Sequence, residues 1–163
     1  MNDSLTLYGA VFSDCRTWRY VLWRKWDRQR PMLNVIGLNP STADETKDDP
    51  TIRRCVGFAR SWGYGGLVMT NVFAYRSTDP NRLRWVDNPV GLANLAWIER
   101  EARRAGKVLA AWGALHKDLA PQAERVRTTL HKNGVRVWCL AKTKAGHPAH
   151  PLYQPAARQP VRL

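Results

Sequence analysis

Short apolar runs that alternate with amphipathic segments are the feature that most constrains the fold of this chain. Each run has the length of a buried β-strand, and together they span residues 32–38, 66–73, 108–112 and 135–140. The segments between them have helical periodicity and span residues 50–62, 88–104 and 116–132. Because this alternation favours parallel crossovers, we expect an α/β three-layer sandwich with a central, mainly parallel four-stranded sheet.

The remaining parts of the chain complete a single domain over residues 1–163. Residues 5–12 and 17–26 alternate apolar and polar side chains around a polar break, which predicts an antiparallel hairpin within residues 1–30. Asp49-Pro50 and Asn88-Pro89 both combine a capping side chain with a proline, so each predicts a helix start. Residues 141–163 have no clear periodicity and are expected to be loop-like.

The charge of the chain points to a polyanionic partner. There are 26 Lys and Arg residues against 13 Asp and Glu, and the net charge is +13, which makes DNA the expected partner. No run is long and apolar enough to suggest a membrane span. The N-terminal sequence has no pattern of a secretory signal, so we expect a cytoplasmic protein. We further expect a monomer with no cofactor and no metal, since the three cysteines are far apart.

Three motifs follow predicted strands, where ligands bind in open α/β sheets. They are GLNPS with Asn39, MTNVFAYR with Asn71, and GHPAHPL with His147 and His150. An amide at a strand end can read the edge of a base, and a histidine in a rigid loop can donate a hydrogen bond to a leaving group. Simple alternatives remain open for each motif: an Asx turn, an amide bonded to local backbone, and a pair of surface histidines or a metal site.

Together the motifs resemble those of the uracil-DNA glycosylase superfamily. That superfamily has a Gly-x-(Asp/Asn/Glu)-Pro loop, a strand ending in a base-reading Asn and a late His-Pro-Ser loop. GLNPS is similar to the mismatch-specific branch, whereas MTNVFAYR and VLAAWGALH are similar to the thermophilic branch, whose cluster-binding cysteines are missing here. A second resemblance, carried by NPSTADETKDDPTIRR and WGYG, is to domain-of-unknown-function family 1643 and covers nearly the whole chain.

The glycosylase resemblance implies an enzyme that hydrolyses the N-glycosidic bond of a flipped-out damaged, mispaired or modified base in duplex or single-stranded DNA. It implies that Asn39 orients the attacking water and that His147 stabilises the departing base, with His150 as second choice for that role. Asp44 could assist, because an amide cannot accept a proton. Asn71 would read the base edge. The other base-binding candidates are Gly37, Pro40, Ser41, Phe73, Tyr75 and His150.

Two further groups of charged residues lie near the first motif. The cations are candidates for phosphate contacts and comprise Arg53, Arg54, Arg76 and Arg82. The acidic cluster consists of Asp44, Glu45, Asp48 and Asp49. We interpret the acidic cluster as a solvated loop before a helix N-terminus, with a cationic base or a hard metal ion as alternatives. Two other functions also stay open: a non-catalytic base-recognition module, and a hydrolase of modified free nucleotides.

Overall fold

The computed structural model describes residues 6–163, in which one seven-stranded sheet lies between helices. The strands are β1 (Leu7–Phe12), β2 (Arg19–Lys25), β3 (Met32–Gly37), β4 (Gly66–Asn71), β5 (Lys107–Ala110), β6 (Val137–Cys139) and β7 (Val161–Arg162). The helices are α1 (Pro50–Ser61), α2 (Asn94–Arg104) and α3 (Ala120–Lys132). Short 3₁₀ helices cover Pro80–Arg84 and Pro151–Tyr153. None of the helices described is long and apolar enough to span a bilayer.

The strand order β1-β2-β4-β3-β5-β6-β7 confirms the α/β class and corrects the size of the sheet. The four central strands are mutually parallel, as expected from the helical crossovers. The predicted hairpin is present, but β2 also pairs with β4 in antiparallel orientation, so the hairpin extends the same sheet. At the other edge, β7 pairs with β6. A sheet of four strands is therefore wrong, because both added pairings join segments distant in sequence.

The helices cover the two faces of the sheet and bury a core on each. The face towards α1 packs the apolar side of that helix, including Ile52 and Phe58, against residues such as Leu33 and Leu109. The opposite face packs Ile98 of α2 and side chains of α3 against the sheet. This arrangement agrees with the expected three layers. It leaves the carboxyl ends of the parallel strands free to carry loops.

The start of α1 was predicted correctly, and the starts of the other helices were not. The Asp49 carboxylate accepts a hydrogen bond from the Ile52 amide at 2.9 Å, and Pro50 occupies the first turn. Helix α2 begins at Asn94 rather than at residue 88, because Gly91 has a left-handed φ of 84° that a helix does not contain. The Asn88 side chain instead accepts from the Gly91 amide and closes a turn.

Three other predicted boundaries are also corrected. Helix α3 begins at Ala120, since residues 116–119 form a turn in which the Leu119 amide donates to His116. Strand β6 is shorter than the predicted strand over residues 135–140. The tail over residues 141–163 is not wholly loop-like, because it contains a 3₁₀ helix and β7. Pairing with β6 gives β7 its extended conformation, and no local pattern signals that pairing.

Candidate functional site

A cavity of about 130 Å³ lies where β3, β4 and β5 end. The three strands are adjacent and parallel, and their last residues are nearly in register, with Gly37 opposite Asn71 and Ile36 opposite Ala110. Their following loops therefore converge on one place. The cavity is lined by Arg19, Gly37, Leu38, Asn39, Ser41, Asp49, Thr51, Ile52, Met69, Asn71, Pro80, Ala111, Trp112 and His150.

Buried hydrogen-bond donors without partners distinguish this cavity. Within residues 6–163, eight buried side-chain polar atoms lack a hydrogen bond, and three of them belong to residues that line the cavity. All three are donors: Nε of Arg19, Nδ2 of Asn71 and Nε1 of Trp112. Folded proteins rarely leave buried donors unsatisfied, because each costs about 1–3 kcal/mol. Their presence on three residues of one cavity lining favours a ligand rich in acceptor atoms.

Asn71 is held in place by contacts on both sides. A methyl group at Gly37 would lie 2.8 Å from Asn71 Oδ1, so the absence of a side chain there makes room for the amide. Behind it, the buried Asn94 side chain donates to the carbonyls of Asn71 at 2.9 Å and Val72 at 3.1 Å. The backbone of Asn71 is thus held at the end of β4, while its side-chain Nδ2 is buried without a partner.

His150 lines the cavity, and the hydrogen bond to one of its ring nitrogens defines its neutral tautomer. Its Nδ1 accepts a hydrogen bond from the Leu152 amide at 3.3 Å, so the neutral ring carries its proton on Nε2. Burial lowers the pKa of His150 below its ordinary value, which favours that neutral form. The loop is anchored by the Gly113 amide, which donates to Pro148 at 2.8 Å. His150 can therefore act as a neutral donor.

Asp49 and Asn39 supply acceptor atoms to the same cavity. One Asp49 carboxylate oxygen caps α1 by accepting from Ile52, while the residue remains largely buried. The Asn39 Nδ2 donates to the carbonyls of Pro40 at 3.0 Å and Ser77 at 2.9 Å. These bonds fix the amide so that Oδ1 is left as its available atom. A water molecule could be oriented by an amide oxygen and a carboxylate together.

The structure brings together five of the residues predicted for base binding and catalysis. They are Gly37, Asn39, Ser41, Asn71 and His150. The first choice for the catalytic histidine, His147, does not line the cavity. Its amide donates to the Thr143 hydroxyl in a turn closed by the Lys142–Pro148 bridge, and its place is taken by His150.

Four other predicted residues lie elsewhere. Asp44 does not line the cavity, because its carboxylate accepts from the backbone amides of Thr46 and Lys47 and shapes the loop. Pro40 is buried behind the cavity wall and is absent from its lining. Phe73 packs in the core beneath α2, and Tyr75 bridges to Trp18. Neither aromatic ring reaches the cavity lining.

The acidic cluster is used for internal contacts. Arg16 forms a bidentate ion pair with Glu45 at 2.7 and 2.9 Å, and this pairing lowers the pKa of Glu45 to about 2. Arg24 binds Asp48 at 2.8 Å. In the part of the chain that the structure describes, no group of three or more His, Cys, Asp or Glu side chains is arranged to hold a metal ion. The solvated-loop interpretation therefore holds only in part, because Glu45 and Asp48 are paired with arginines and Asp49 is buried at the cavity.

The four candidate phosphate-binding arginines differ in how free they are. Arg54 donates to the carbonyls of Pro151 and Gln154 and so secures the loop beside His150. Arg76 donates to the Arg16 carbonyl. Arg53 is exposed with one bond to the Asp48 carbonyl. Arg82 is exposed on the 3₁₀ helix that begins at Pro80, a residue of the cavity lining. Arg53 and Arg82 are therefore the better candidates.

Sequence reasoning missed Arg19 and Trp112 and treated Asp49 as a helix cap and as a member of the acidic cluster. Trp112 follows β5 in the same way that Asn39 follows β3, so its position after a strand was the available signal. Arg19 could not be found in this way, because it comes from the hairpin and reaches the cavity only through the pairing of β2 with β4.

Two larger open grooves lack the buried, unpaired donors that mark the cavity. One of about 420 Å³ lies beside the end of α3, and one of about 460 Å³ lies between β2 and α2. Neither groove is lined by any of the buried, unpaired polar atoms found within residues 6–163. Volume alone therefore does not identify the site here, whereas unsatisfied donors do.

Comparison with known proteins adds the family. The family described as "Protein of unknown function (DUF1643)" matches residues 19–152. The chain belongs to this family. The match begins at Arg19 and ends two residues beyond His150, so every residue of the cavity lining lies within the family's extent. No curated protein and no solved structure matches the chain. The comparisons give no support to the resemblance to uracil-DNA glycosylases.

Proposed function

We propose that this DUF1643 protein binds a single flipped-out base of DNA in the cavity and hydrolyses its N-glycosidic bond. The observation that carries the proposal is that three residues of the cavity lining, Arg19, Asn71 and Trp112, each have a buried donor without a partner. A pyrimidine exposes carbonyl oxygens along its edges, which are acceptors for such donors, whereas its ring nitrogen N3 donates in uracil and thymine and accepts in cytosine. The amide of Asn71 offers both a donor and an acceptor, as reading a base edge requires.

The size of the cavity supports a ligand with one ring. Its volume of about 130 Å³ is slightly below the ~150 Å³ of an engineered cavity that binds benzene. A pyrimidine fits such a space, and a purine with two fused rings exceeds it. Apolar surface from Leu38, Ile52 and Met69 would contact the faces of the ring. A sugar and its phosphates would remain at the mouth of the cavity.

The cavity contains groups suited to hydrolysis. Water would attack C1′ of the sugar, the C1′–N bond would break, and its electron pair would leave with the base. Asn39 Oδ1 would orient the water and the Asp49 carboxylate would accept its proton, a role an amide cannot fill. His150 Nε2 would donate a hydrogen bond to the charge that develops on the departing base. This assignment replaces His147 with His150 and Asp44 with Asp49.

The charge of the chain supports a polymeric substrate. With a net charge of +13 and two of the four loop carboxylates, Glu45 and Asp48, already paired with arginines, the surface has a large excess of cations. Phosphate contacts by such cations give nucleic-acid binding much of its affinity. Exposed Arg53 and Arg82 are suited to that role. A free nucleotide would engage few of these charges.

The test is base release from oligonucleotides. Duplex and single-stranded oligonucleotides carrying uracil, mispaired thymine or modified pyrimidines are incubated with the protein, and abasic sites are scored by alkaline cleavage. We expect cleavage by the wild type, loss in Asp49→Asn and His150→Ala, and retention in His147→Ala. Binding without cleavage on every substrate would support the non-catalytic recognition module instead. Cleavage that depends on His147 and not on His150 would contradict the assignment.

A further inference from the structure

Arg19 is a buried cation with few partners. Its side chain is 2 % exposed, and within residues 6–163 its only side-chain hydrogen bond joins Nη1 to the Ala43 carbonyl at 2.9 Å. Its Nε is buried without a partner. A guanidinium carries five N–H donors, so most of the hydrogen-bonding capacity of Arg19 is unused. Burial lowers its pKa to about 10, so it is still charged at neutral pH.

A second arginine on the same strand shows what a satisfied buried guanidinium looks like. Arg24 is 1 % exposed and forms an ion pair with Asp48 at 2.8 Å. It also donates to the carbonyls of Trp23, Asp44, Glu45 and Lys47. The comparison shows that β2 can bury an arginine whose charge and N–H donors have partners within the protein. Arg19, which lines the cavity, is the buried arginine of β2 whose donors are mostly without partners.

No protein carboxylate neutralises Arg19 directly. None of the ion pairs among the described residues includes it. Asp49, which lines the same cavity, and Asp44 attract the guanidinium at longer range, but one Asp49 oxygen already accepts from Ile52. Arg24 and Arg76 oppose that attraction by repulsion. Buried charges in proteins are normally paired, so a counter-charge is missing here.

We infer that the missing counter-charge belongs to the ligand: the cavity selects a single planar ring that carries an anionic substituent, such as a carboxylate, and Arg19 binds that substituent. This inference rests on the base-binding function proposed above and names its substrate class. A neutral carbonyl would satisfy the hydrogen bonds but would leave the charge uncompensated. A carboxylate supplies both the hydrogen-bond acceptors and the negative charge. Hydrogen bonds between charged groups are about twice as strong as neutral ones.

The experiment compares carboxylate and carboxamide derivatives of one ring, which differ mainly in charge. Calorimetric titration of the full chain at neutral pH uses uracil, the 5- and 6-carboxylates of uracil, and the matching carboxamides, which have nearly the same shape. We expect one of the carboxylates to bind about 10-fold to 100-fold more tightly than its carboxamide, as a charged hydrogen bond in a buried site provides. This comparison needs no variant, so it does not depend on whether a substituted protein folds.

Variants then assign the preference to Arg19. In Arg19→Gln the carboxylate should bind no better than the carboxamide, so the preference for the anion is lost whatever change the substitution causes in the affinity for uracil. Arg19→Lys should keep part of the preference, and Arg104→Gln, which removes an exposed cation from the groove between β2 and α2, should keep all of it. A thermal melt of each variant confirms folding.

Each outcome of the titration decides between the proposals. Equal binding of carboxylate and carboxamide by the wild type, or a preference that survives in Arg19→Gln, overturns the inference and leaves the base-binding site standing. Failure of every ring to bind overturns the base-binding site and the inference together. Base release from a uracil-containing oligonucleotide, measured in parallel, reports on the proposed enzymatic function independently of the carboxylate preference.

Discussion

Gly37 controls how closely Asn71 approaches the end of β3. A methyl group at this position would lie 2.7 Å from Met69 Cε and 2.8 Å from Asn71 Oδ1. We expect Gly37→Ala to displace the Asn71 amide and abolish base binding, with a loss of about 1–3 kcal/mol in stability from overpacking. Calorimetric titration with uracil and chemical denaturation measure the two effects.

Gly57 provides the matched control for that substitution. It lies on α1, and a methyl group there meets no atom within 4 Å. Gly57→Ala should stabilise the protein by about 0.5–1 kcal/mol, because alanine loses less entropy in a helix, and should leave ligand binding unchanged. Wild-type binding by Gly37→Ala would contradict the placement of Asn71.

Substitutions of Asp49 and Asp44 distinguish a role in the cavity from a role in the structure of the loop. Asp49→Asn keeps an oxygen that can cap α1 but removes the carboxylate, so we expect near-normal stability and loss of base release. Asp44→Asn weakens the contacts with Thr46 and Lys47 and should retain base release, since Asp44 is outside the cavity lining. Thermal melts and the abasic-site assay compare the pair. Equal activity in both variants would remove Asp49 from the mechanism.

His150 predicts how base binding responds to acid. Because burial lowers its pKa from 6.5, the neutral ring predominates at and above that pH, and binding should be constant there. Acidification through the lowered pKa protonates Nδ1, breaks the bond from the Leu152 amide and weakens both ligand binding and folding. Titrations of the wild type and His147→Ala across this range should show the same decline. If the decline disappeared in His147→Ala, the response to acid would belong to His147, and the prediction for His150 would be wrong.

At the scale of elements, the start of α2 supports the end of β4. Asn94 is the first residue of the helix and is fully buried, and its Nδ2 binds the carbonyls of Asn71 and Val72. Asn94→Ala leaves both carbonyls without this donor, so we expect a loss of about 1–3 kcal/mol in unfolding free energy and weaker uracil binding. Denaturation and titration measure both. Asn133→Ala, at an exposed helix end, is the control and should change neither by a comparable amount.

Local signals were sufficient for some elements and not for others. The pair Asp49-Pro50 located α1 because both the cap and the proline act within one turn. The similar pair Asn88-Pro89 failed because Gly91, two residues further on, adopts a left-handed conformation and stops the chain from continuing as a helix. The pairings of β2 with β4 and of β6 with β7 depend on residues far apart in sequence. No periodicity could reveal them.

The residues of the candidate site also divide into those that local sequence signals predicted and those that they did not. Asn39, Asn71 and His150 were found because each follows a strand or lies in a proline-rich loop, and both are local features. The choice between His147 and His150 needed the turn that joins Lys142 to Pro148 and directs the loop. Arg19 needed the order of the strands. Side chains that follow the parallel strands were therefore predictable in part, because Trp112 after β5 was missed, and Arg19 from the hairpin was not predictable.

At the scale of the whole molecule, the excess of positive charge predicts binding that depends strongly on salt. The affinity for single-stranded or duplex DNA should fall with increasing salt, with a logarithmic slope that grows by about 0.7–0.9 for each phosphate contacted. Arg53→Gln and Arg82→Gln should each reduce that slope by about one unit. Arg104→Gln, on the far groove between β2 and α2, is the comparison and should leave the slope unchanged. Fluorescence anisotropy at several salt concentrations measures these slopes.

The occupancy of the cavity by a base can be observed through its tryptophan. Trp112 and Trp62 both have a buried indole N–H without a partner, but only Trp112 lines the cavity. In a nitrogen–proton correlation NMR spectrum, with the two indole signals assigned by Trp112→Phe and Trp62→Phe, addition of uracil should shift the Trp112 signal as its N–H gains an acceptor. The Trp62 signal should stay in place. An unchanged Trp112 signal at saturating uracil would contradict base binding in the cavity.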